Sequence, residues 1–192
     1  MISPVFTIIA GANGAGKSTL TSGNPEIFSL TPLLDPDRLT RPLASSGASR
    51  IAAGREVLLL AKKCLDRRES FTIETTLSGR NYLEMMTRAR NLGFEVFLIY
   101  IGTESVNINL SRIRQRVLGG GHDVPENDVR RRYKRSLDHL PVAVQRAAHT
   151  LLFDNSTQPA YQLIGVISPS VVQWFKPLPG WAVAVKAAVS SE

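Results

Sequence analysis

The sequence predicts an α/β fold with a mainly parallel sheet of five to six strands in a three-layer arrangement. Two observations predict this class. Short apolar segments alternate along the chain with longer amphipathic ones, which is the pattern of strands joined by crossover helices. A glycine-rich loop also lies between the first apolar segment and the first helical one. The 192 residues, 43% of them hydrophobic, suffice for one core, so residues 1–192 are expected to form a single domain.

The elements follow from periodicity and from glycine and proline positions. The first strand is predicted over residues 4–10, PVFTIIA, because an uninterrupted apolar run is typical of a buried parallel strand. Further strands are predicted over residues 29–37, 71–76, 94–101 and 150–154, with a late hairpin over residues 161–167 and 171–175. Helices are predicted from Lys17, over residues 48–68, 79–91 and 104–118, from Pro125, and over residues 181–189. Polar residues after the strands would then gather at one edge of the sheet, where such folds bind ligands.

The glycine-rich loop has a recognisable spacing. Residues 11–18, GANGAGKS, match the pattern G-x-x-x-x-G-K-[ST], in which backbone N–H groups surround the phosphates of a nucleoside triphosphate. We expect Lys17 to reach the β- and γ-phosphates and the Ser18 hydroxyl to bind Mg²⁺. The residues expected to bind the nucleotide here are Gly11, Asn13, Gly14, Ala15, Gly16, Lys17, Ser18 and Thr19.

Polar residues at two other strand ends are candidates for binding an acceptor. Asp37, in the segment LLDPD, could orient an acceptor hydroxyl and accept its proton, although Asp35 and Asp37 could equally be turn residues around a proline. Glu74, Thr75 and Thr76 lie at the C-terminal end of the third predicted strand. They could hold substrate hydroxyls or a Mg²⁺-bound water, or they could simply cap the strand end.

The basic residues are concentrated in one segment. The formal charge is +7, and seven arginines lie between Arg112 and Arg135, on two predicted helices joined by three glycines. Residues 112–136 therefore resemble a flexible lid that closes arginines over a polyphosphate and excludes water. The alternative is that any one of these arginines belongs to a solvated charged face.

Taken together, the motifs resemble the zeta-toxin family of P-loop kinases, in particular its small chromosomal bacterial branch. The resemblance rests on the segments GANGAGKST, DPD, ETTLSG, RVLGGGHDVPENDVRRRY and FDNS, and it spans residues 7–156. It implies a nucleotide-kinase-like fold with a lid, and ATP with Mg²⁺ as the phosphoryl donor. It also implies transfer of phosphate to a hydroxyl of a UDP-amino sugar such as UDP-N-acetylglucosamine, and a protein antitoxin as a candidate partner.

The resemblance also implies roles for individual residues. Asp37 corresponds to the family's catalytic base, while Arg116 and Arg132 are the best matches to its phosphate-clamping lid arginines. Arg130, Arg131 and Arg135 compete with Arg132 for the second position. Glu74 and Thr75 correspond to a substrate-binding pair, and Asp154 with Asn155 would lie near the adenine. The chain departs from the family in having Asp35-Pro36-Asp37 before the second helix.

Two function classes follow. The first is an ATP-dependent small-molecule kinase that uses Lys17, Asp37, Arg116 and Arg132 for catalysis. The alternative is a P-loop NTPase module that binds nucleic acid or protein through the basic lid. Nucleic acid is the less expected partner, because Tyr133 is the one aromatic residue in the basic segment and base stacking needs several.

The expected location is the cytoplasm. The chain has no run of about 18 apolar residues, so no membrane-spanning helix is expected. The first residues, MISPV, lack the basic region of a signal peptide. Cys64 is the single cysteine, which agrees with a reducing compartment and excludes an internal disulfide.

Overall fold

A computed structural model describes residues 3–35, 47–157, 160–175 and 177–189. Within these ranges the strands are β1 Val5–Ala10, β2 Leu33–Leu34, β3 Phe71–Thr75, β4 Glu95–Gly102, β5 His149–Asp154, β6 Gln162–Ile167 and β7 Val172–Trp174. The helices are α1 Lys17–Gly23, α2 Pro25–Phe28, α3 Gly47–Arg67, α4 Arg80–Asn91, α5 Val106–Leu118, α6 Glu126–Arg146 and α7 Gly180–Val189. The predicted α/β class is confirmed.

The strands form one mixed sheet in the order β2-β3-β1-β4-β5-β6-β7. The first five strands are parallel, with Ile8 of β1 opposite Ile73 of β3 and Leu98 of β4, so the mainly parallel sheet is confirmed. The predicted count of five to six strands is wrong, because the described residues contain seven. In the late hairpin, β6 pairs antiparallel with β5, and β7 pairs antiparallel with β6. This pairing gives hydrogen-bond partners to the backbone groups at the edge of β5, and it brings both strands of the hairpin into the main sheet.

The second strand differs most from its prediction. Instead of extending over residues 29–37, β2 contains Leu33 and Leu34 alone within the described residues. A short helix, α2, occupies residues just before it, with Pro25 at its first position, where the missing proline N–H has no helical acceptor to lose. Asp37 lies outside the described residues. Asp35, two residues earlier in the same motif, is described and is buried.

The main core lies on one face of the sheet. Phe6 and Ile8 of β1 are fully buried there beneath α3, α4, α6 and α7, which contribute apolar residues such as Met86 and Leu140. On the opposite face, α2 borders an apolar groove of about 570 Å³ that is lined in part by Phe97 and Leu151. Within the described residues, helices therefore cover one face fully and the other only in part, so the predicted three-layer arrangement is incomplete there.

The arginine-rich segment forms a small unit with its own apolar contacts. Leu110 and Ile113 of α5 pack against Val124 and Val129 of the following loop and α6, separately from the main core. Helix α6 then continues onto the sheet. There the hydroxyl of fully buried Tyr100 on β4 lies 3.0 Å from the Ser136 hydroxyl. The end of α6 is thus fixed to the core, while its first turns face the glycine-rich loop.

The three glycines between α5 and α6, which the sequence suggests as a flexible joint, form a hydrogen-bonded helix cap. Gly120 has a φ of 79°, and its N–H donates to the Val117 carbonyl at 2.9 Å. The Gly121 N–H donates to the Arg116 carbonyl at 2.8 Å. These two bonds are those of a Schellman motif, which satisfies the last carbonyls of a helix.

The end of the chain closes the core. Trp181 and Val185 of α7 are buried against the main cluster, and the Trp181 indole N–H donates to Asp154 Oδ1 at 2.9 Å. The Gly180 N–H donates to the carboxylate of Glu104 at the end of β4. Asp154, which the resemblance placed near the adenine, therefore holds α7 in this structure.

Candidate functional site

The loop between β1 and α1 adopts a conformation that only glycine permits at three positions. Gly11, Gly14 and Gly16 have φ values of 146°, 78° and 108°. A Cβ at Gly14 would lie 2.6 Å from the Asn109 carbonyl oxygen, and one at Gly16 would lie 2.5 Å from Asn155 Nδ2. Backbone strain and close neighbours therefore both require glycine here, as in loops whose N–H groups surround phosphate.

Three side chains from distant parts of the chain hold this loop in place. Asn109 Nδ2 donates to the Asn13 carbonyl at 2.7 Å, and Asn155 Nδ2 donates to the Ala15 carbonyl at 2.8 Å. The Tyr161 hydroxyl donates to the Gly16 carbonyl at 2.8 Å. These three hydrogen bonds hold the carbonyl groups of the loop toward the protein. The N–H groups on the opposite side of the loop are then available to bind phosphate.

Above the loop lies a cavity of about 430 Å³. Its lining includes Asn13, Gly14, Gly16, Lys17, Ser18, Thr19, Glu74, Arg116 and Asn155, all predicted from the sequence. Gly11 and Ala15 support the loop from below: Gly11 lies against the Ile101 carbonyl, and the Ala15 N–H donates to the Ala12 carbonyl at 3.1 Å. Lys17 is 8% exposed, and its ammonium donates to the Ala12 carbonyl at 3.2 Å.

Ser18, at the start of α1, and Glu74, in β3, bring a hydroxyl and a carboxylate together. The Ser18 hydroxyl donates to Glu74 Oε1 at 2.6 Å, and the Thr21 hydroxyl donates to Glu74 Oε2 at 3.5 Å. Glu74 is 5% exposed. Hydroxyl and carboxylate oxygens beside a phosphate loop are the donor set that Mg²⁺ prefers, so these residues fit that ion. The described residues contain no group of three or more His, Cys, Asp or Glu side chains, so phosphate and water would supply the remaining ligands.

The two threonines after Glu74 do not line the cavity. The buried Thr75 hydroxyl accepts the Leu77 N–H at 3.1 Å, and the Thr76 hydroxyl lies 2.9 Å from that of Ser78. Leu77 has a φ of 57° although it is fully buried, so the turn after β3 is held in a conformation that leucine rarely adopts. The Thr75 and Thr76 hydroxyls therefore support the turn.

The buried carboxylate of Asp35 lies in the same region as this turn. Burial raises the pKa of Tyr82, and the negative charge of Asp35 raises it further.

The two predicted lid arginines both reach toward the site. Arg116 lines the cavity, and its Nη2 donates to the His122 carbonyl at 2.5 Å. Arg132 Nη1 donates to Asn13 Oδ1 at 3.3 Å, so α6 contacts the tip of the loop directly. A carboxylate oxygen of Asp128 lies 3.8 Å from Arg132 and helps to orient it.

The structure distinguishes Arg132 from its neighbours. Arg130 forms an ion pair with Glu126 at 2.7 Å, and Arg131 forms one with Asp128 at 2.8 Å. Both side chains are about half exposed, and Arg135 is exposed as well. Successive helical positions point about 100° apart, so of Arg130, Arg131 and Arg132 only Arg132 faces the loop.

Two site residues, Asn109 and Tyr161, escaped the sequence analysis, and a third, Arg112, was assigned only to the arginine-rich segment as a whole. Asn109 is fully buried, and its Oδ1 accepts the Thr103 hydroxyl at 2.5 Å while its Nδ2 holds Asn13. Arg112 and Tyr161 line the cavity. A polar residue on the apolar face of an amphipathic helix was the available signal for Asn109. Nothing in the local sequence separates Tyr161 from an ordinary hairpin residue.

None of the helices in the described ranges combines the length and the apolar composition that crossing a bilayer requires.

The fold resembles that of known structures, although no protein-family model matches the chain. A chain of the AvrRxo1-ORF1:-ORF2 complex with ATP superposes with a TM-score of 0.75 at 13% identity, covering 90% of this chain and 60% of that one. This protein thus spans three fifths of its length. A chain of the PezAT chromosomal toxin-antitoxin system of Streptococcus pneumoniae gives 0.61 at 16% identity, covering 100% of this chain and 88% of that one. These likenesses show the fold, which is of the P-loop kinase-like type.

One relative is similar in sequence as well. An uncharacterized protein of Haemophilus influenzae is 38% identical over 125 residues, which cover 64% of this chain and 88% of that protein. This degree of identity over most of the relative's length exceeds what a shared fold alone produces. The chain therefore belongs to the same family as this Haemophilus influenzae protein.

Proposed function

We propose that this protein is an ATP-dependent kinase that transfers the γ-phosphate to a hydroxyl group of a small molecule. The observation that carries the proposal is the glycine loop, whose positive φ angles and outward carbonyls prepare an anion site opposite the lid arginines. The fold likeness to a complex solved with ATP supports ATP as the donor. ATP would bind through the loop residues from Gly11 to Thr19, with Lys17 on its terminal phosphates and Asn155 beside the loop.

Mg²⁺ is part of the proposal. Ser18 and Glu74 would hold it, Ser18 directly and Glu74 through the hydrogen bond between them or through water. When bound, the ion neutralises charge on the β- and γ-phosphates.

In the proposed step, the acceptor oxygen bonds to the γ-phosphorus as the bond from phosphorus to the bridging oxygen of ADP breaks. The acceptor proton passes to the Asp37 carboxylate. In the sequence, Asp37 comes three residues after Leu34, the last residue of β2. Arg116 and Arg132 stabilise the negative charge that spreads over the transferring oxygens.

The acceptor would lie beside β3 and β2, where Glu74 is the one carboxylate among the described residues that line the cavity. Thr75 and Thr76 would then act by holding the turn that shapes this side of the site. We propose a UDP-amino sugar such as UDP-N-acetylglucosamine as the acceptor, on the strength of the ETTLSG and lid motifs that resemble zeta toxins.

A protein antitoxin is the proposed macromolecular partner. The two fold neighbours were solved as parts of two-component assemblies, one of them named as a toxin-antitoxin system. A partner that covers the cavity would block ATP, and this offers a direct way to inhibit the enzyme. Co-purification of the chain with the product of an adjacent gene would test this part of the proposal.

The test is phosphotransfer from γ-labelled ATP into a panel of UDP-sugars, nucleosides and aminoglycosides. Asp37→Asn should abolish transfer while ATP binding persists, because the carboxylate acts on the acceptor proton and not on the nucleotide. Asp66→Asn is the matched control, since Asp66 is half exposed and pairs with Arg88 on the surface. Transfer at near-normal rate in the Asp37 variant would refute the assignment. Phosphate released only to water would favour an NTPase module instead.

A further inference from the structure

Trp181, near the start of α7, packs directly on the end of the central strand β4. A Cβ at Gly102, the last residue of β4, would lie 2.3 Å from Trp181 Cε2 and 2.4 Å from its Cζ2. The indole ring therefore occupies the space that any other side chain would need at this position. Trp181 is 8% exposed, and it is not among the described residues that line the cavity above the loop. An effect of Trp181 on a bound nucleotide must therefore pass through other residues.

The indole N–H of Trp181 donates to the carboxylate of Asp154, the last residue of β5. The distance from Nε1 to Oδ1 is 2.9 Å. The same carboxylate accepts the Ser156 hydroxyl at 2.8 Å and the Ser156 N–H at 3.3 Å. The Ser156 hydroxyl in turn accepts the Glu104 N–H at 2.7 Å. The Asp154 carboxylate is thus fixed from two sides, and α7 supplies one of them.

The next residue, Asn155, holds the phosphate loop. Its backbone N–H donates to the Gly102 carbonyl at 2.9 Å, and its Nδ2 donates to the Ala15 carbonyl at 2.8 Å. The fit is close, because a Cβ at Gly16 would lie 2.5 Å from Asn155 Nδ2. A shift of Asp154 would move Asn155 with it, and would therefore move the backbone of the loop or break the bond to Ala15.

Two contacts of Trp181 thus converge on Asn155. One is the hydrogen bond to Asp154, the residue before Asn155. The other is the packing on Gly102, which lies under the indole ring and accepts the Asn155 N–H. Gly102 and Asp154 also lie opposite each other in the pairing of β4 with β5. Energetic coupling between separate parts of a protein is carried by such chains of packed and hydrogen-bonded groups.

We propose that Trp181 is a positioning residue for the phosphate loop, and that it acts through Asp154 and Asn155. This inference rests on the proposed function, because it concerns the loop that binds the nucleotide. The indole fixes the segment that orients Asn155. The Ala15 carbonyl is thereby held toward the protein, and the N–H groups of the loop face the phosphates. Helix α7 thus contributes to nucleotide affinity from outside the cavity.

The test compares Trp181→Phe with Trp174→Phe, which is the matched control. The chain has two tryptophans, and each substitution keeps an aromatic ring while it removes an indole N–H. The Trp174 N–H is buried and has no hydrogen-bond partner among the described residues, so its removal breaks no bond there. Binding of ADP and of a non-hydrolysable ATP analogue, each with Mg²⁺, is measured by calorimetry on the full chain.

We expect Trp181→Phe to weaken the binding of both nucleotides by about threefold or more, because coupling of this kind changes affinity by about two- to thirtyfold. Trp174→Phe should bind both as the unmodified protein does. Unchanged affinity in Trp181→Phe would overturn the inference. Thermal unfolding separates positioning from a purely structural role: a lower melting temperature in Trp181→Phe with normal nucleotide affinity well below that temperature would also overturn it.

A double-mutant cycle with Asp154→Ala tests the route. Both substitutions remove the same hydrogen bond, so Trp181→Phe should cause no further loss of nucleotide affinity in the Asp154→Ala background. If the two losses simply add, Trp181 does not act through Asp154 and the inference fails.

Tryptophan fluorescence decides the question if Trp181→Phe does not fold. In Trp174→Phe, Trp181 is the one tryptophan that remains in the chain, so the emission comes from α7. Coupling between two sites is reciprocal, so a nucleotide in the loop should change the emission of Trp181. Emission that saturating ADP with Mg²⁺ leaves unchanged would overturn the inference.

Failure of the unmodified protein to bind either nucleotide would overturn this inference together with the proposed function. Normal nucleotide binding without phosphotransfer to any acceptor would count against the proposed function alone, because the effect of Trp181→Phe on ADP binding would still be measurable.

Discussion

Gly121→Ala is the most specific test of how the glycine cap after α5 positions Arg116. A Cβ at Gly121 would lie 2.5 Å from Arg116 Cγ, 2.8 Å from the Arg116 carbonyl oxygen and 3.3 Å from Arg116 Cδ. The first two distances are shorter than a van der Waals contact. Backbone conformation does not require glycine here, since Gly121 has no positive φ. Gly121 is therefore glycine because of the space that the Arg116 side chain occupies.

The expected magnitude follows from which atoms collide. The carbonyl oxygen belongs to the helix backbone and Cγ lies near the base of the side chain, so neither can move away cheaply. Overpacking of this kind costs about 1–3 kcal/mol. The clash is relieved when the Arg116 side chain shifts, when the hydrogen bond from the Gly121 N–H to the Arg116 carbonyl opens, or both. A displaced Arg116 loses its bond to the His122 carbonyl and its place on the cavity wall. We expect kcat to fall by about tenfold or more with a smaller change in KM for ATP, because the role proposed for Arg116 is to stabilise charge in the transition state.

Gly119→Ala is the matched control on the same cap. A Cβ there would lie 3.5 Å from the Arg116 carbonyl oxygen, which is an ordinary contact, and Gly119 has a φ of −84°. This substitution should leave kcat unchanged. It should stabilise the fold by up to about 1 kcal/mol, because alanine lowers the conformational entropy of the unfolded chain. Steady-state kinetics and thermal unfolding of both variants provide the comparison. Equal kcat values for the two variants would refute the claim that Gly121 positions Arg116.

Two further predictions concern the loop and the tyrosines. Asn109→Ala should raise the Kd for ATP and destabilise the fold by about 1–3 kcal/mol, because the carbonyl of Asn13 and the hydroxyl of Thr103 both lose a buried partner; unchanged Kd and thermal stability would contradict this. Burial raises the pKa of all four tyrosines above the ordinary value of 10.0. A pKa raised in the folded state stabilises it fully below the unfolded pKa, and that stability is lost as the pH rises through the folded pKa. Tyrosinate absorbance should therefore develop at higher pH in the native protein than in the urea-unfolded one, with stability declining above about pH 10; coincident titrations would show that burial does not protect them.

Most secondary-structure elements could be predicted because their signals are local. The mainly apolar runs of β1 and β4 identify buried parallel strands, and Gly93 and Pro125 mark helix boundaries. The phosphate loop is also local, since its glycines, Lys17 and Ser18 are consecutive in the chain. The count of strands was wrong because periodicity identifies the late hairpin but does not say whether it pairs with the main sheet or stands apart.

The sequence by itself thus determined the fold class, the loop that prepares an anion site and the segment that carries the arginines. Only the tertiary structure decided that Arg132, and not Arg130 or Arg131, faces the loop. It also decided that Asn109 and Tyr161 hold the loop. Asn109 lies 96 positions after its partner Asn13, and Tyr161 lies 145 positions after its partner Gly16. Local patterns report backbone conformation and which face of an element is buried. The partners of a buried polar side chain depend on how separate elements pack, so they become known only when the whole chain is folded.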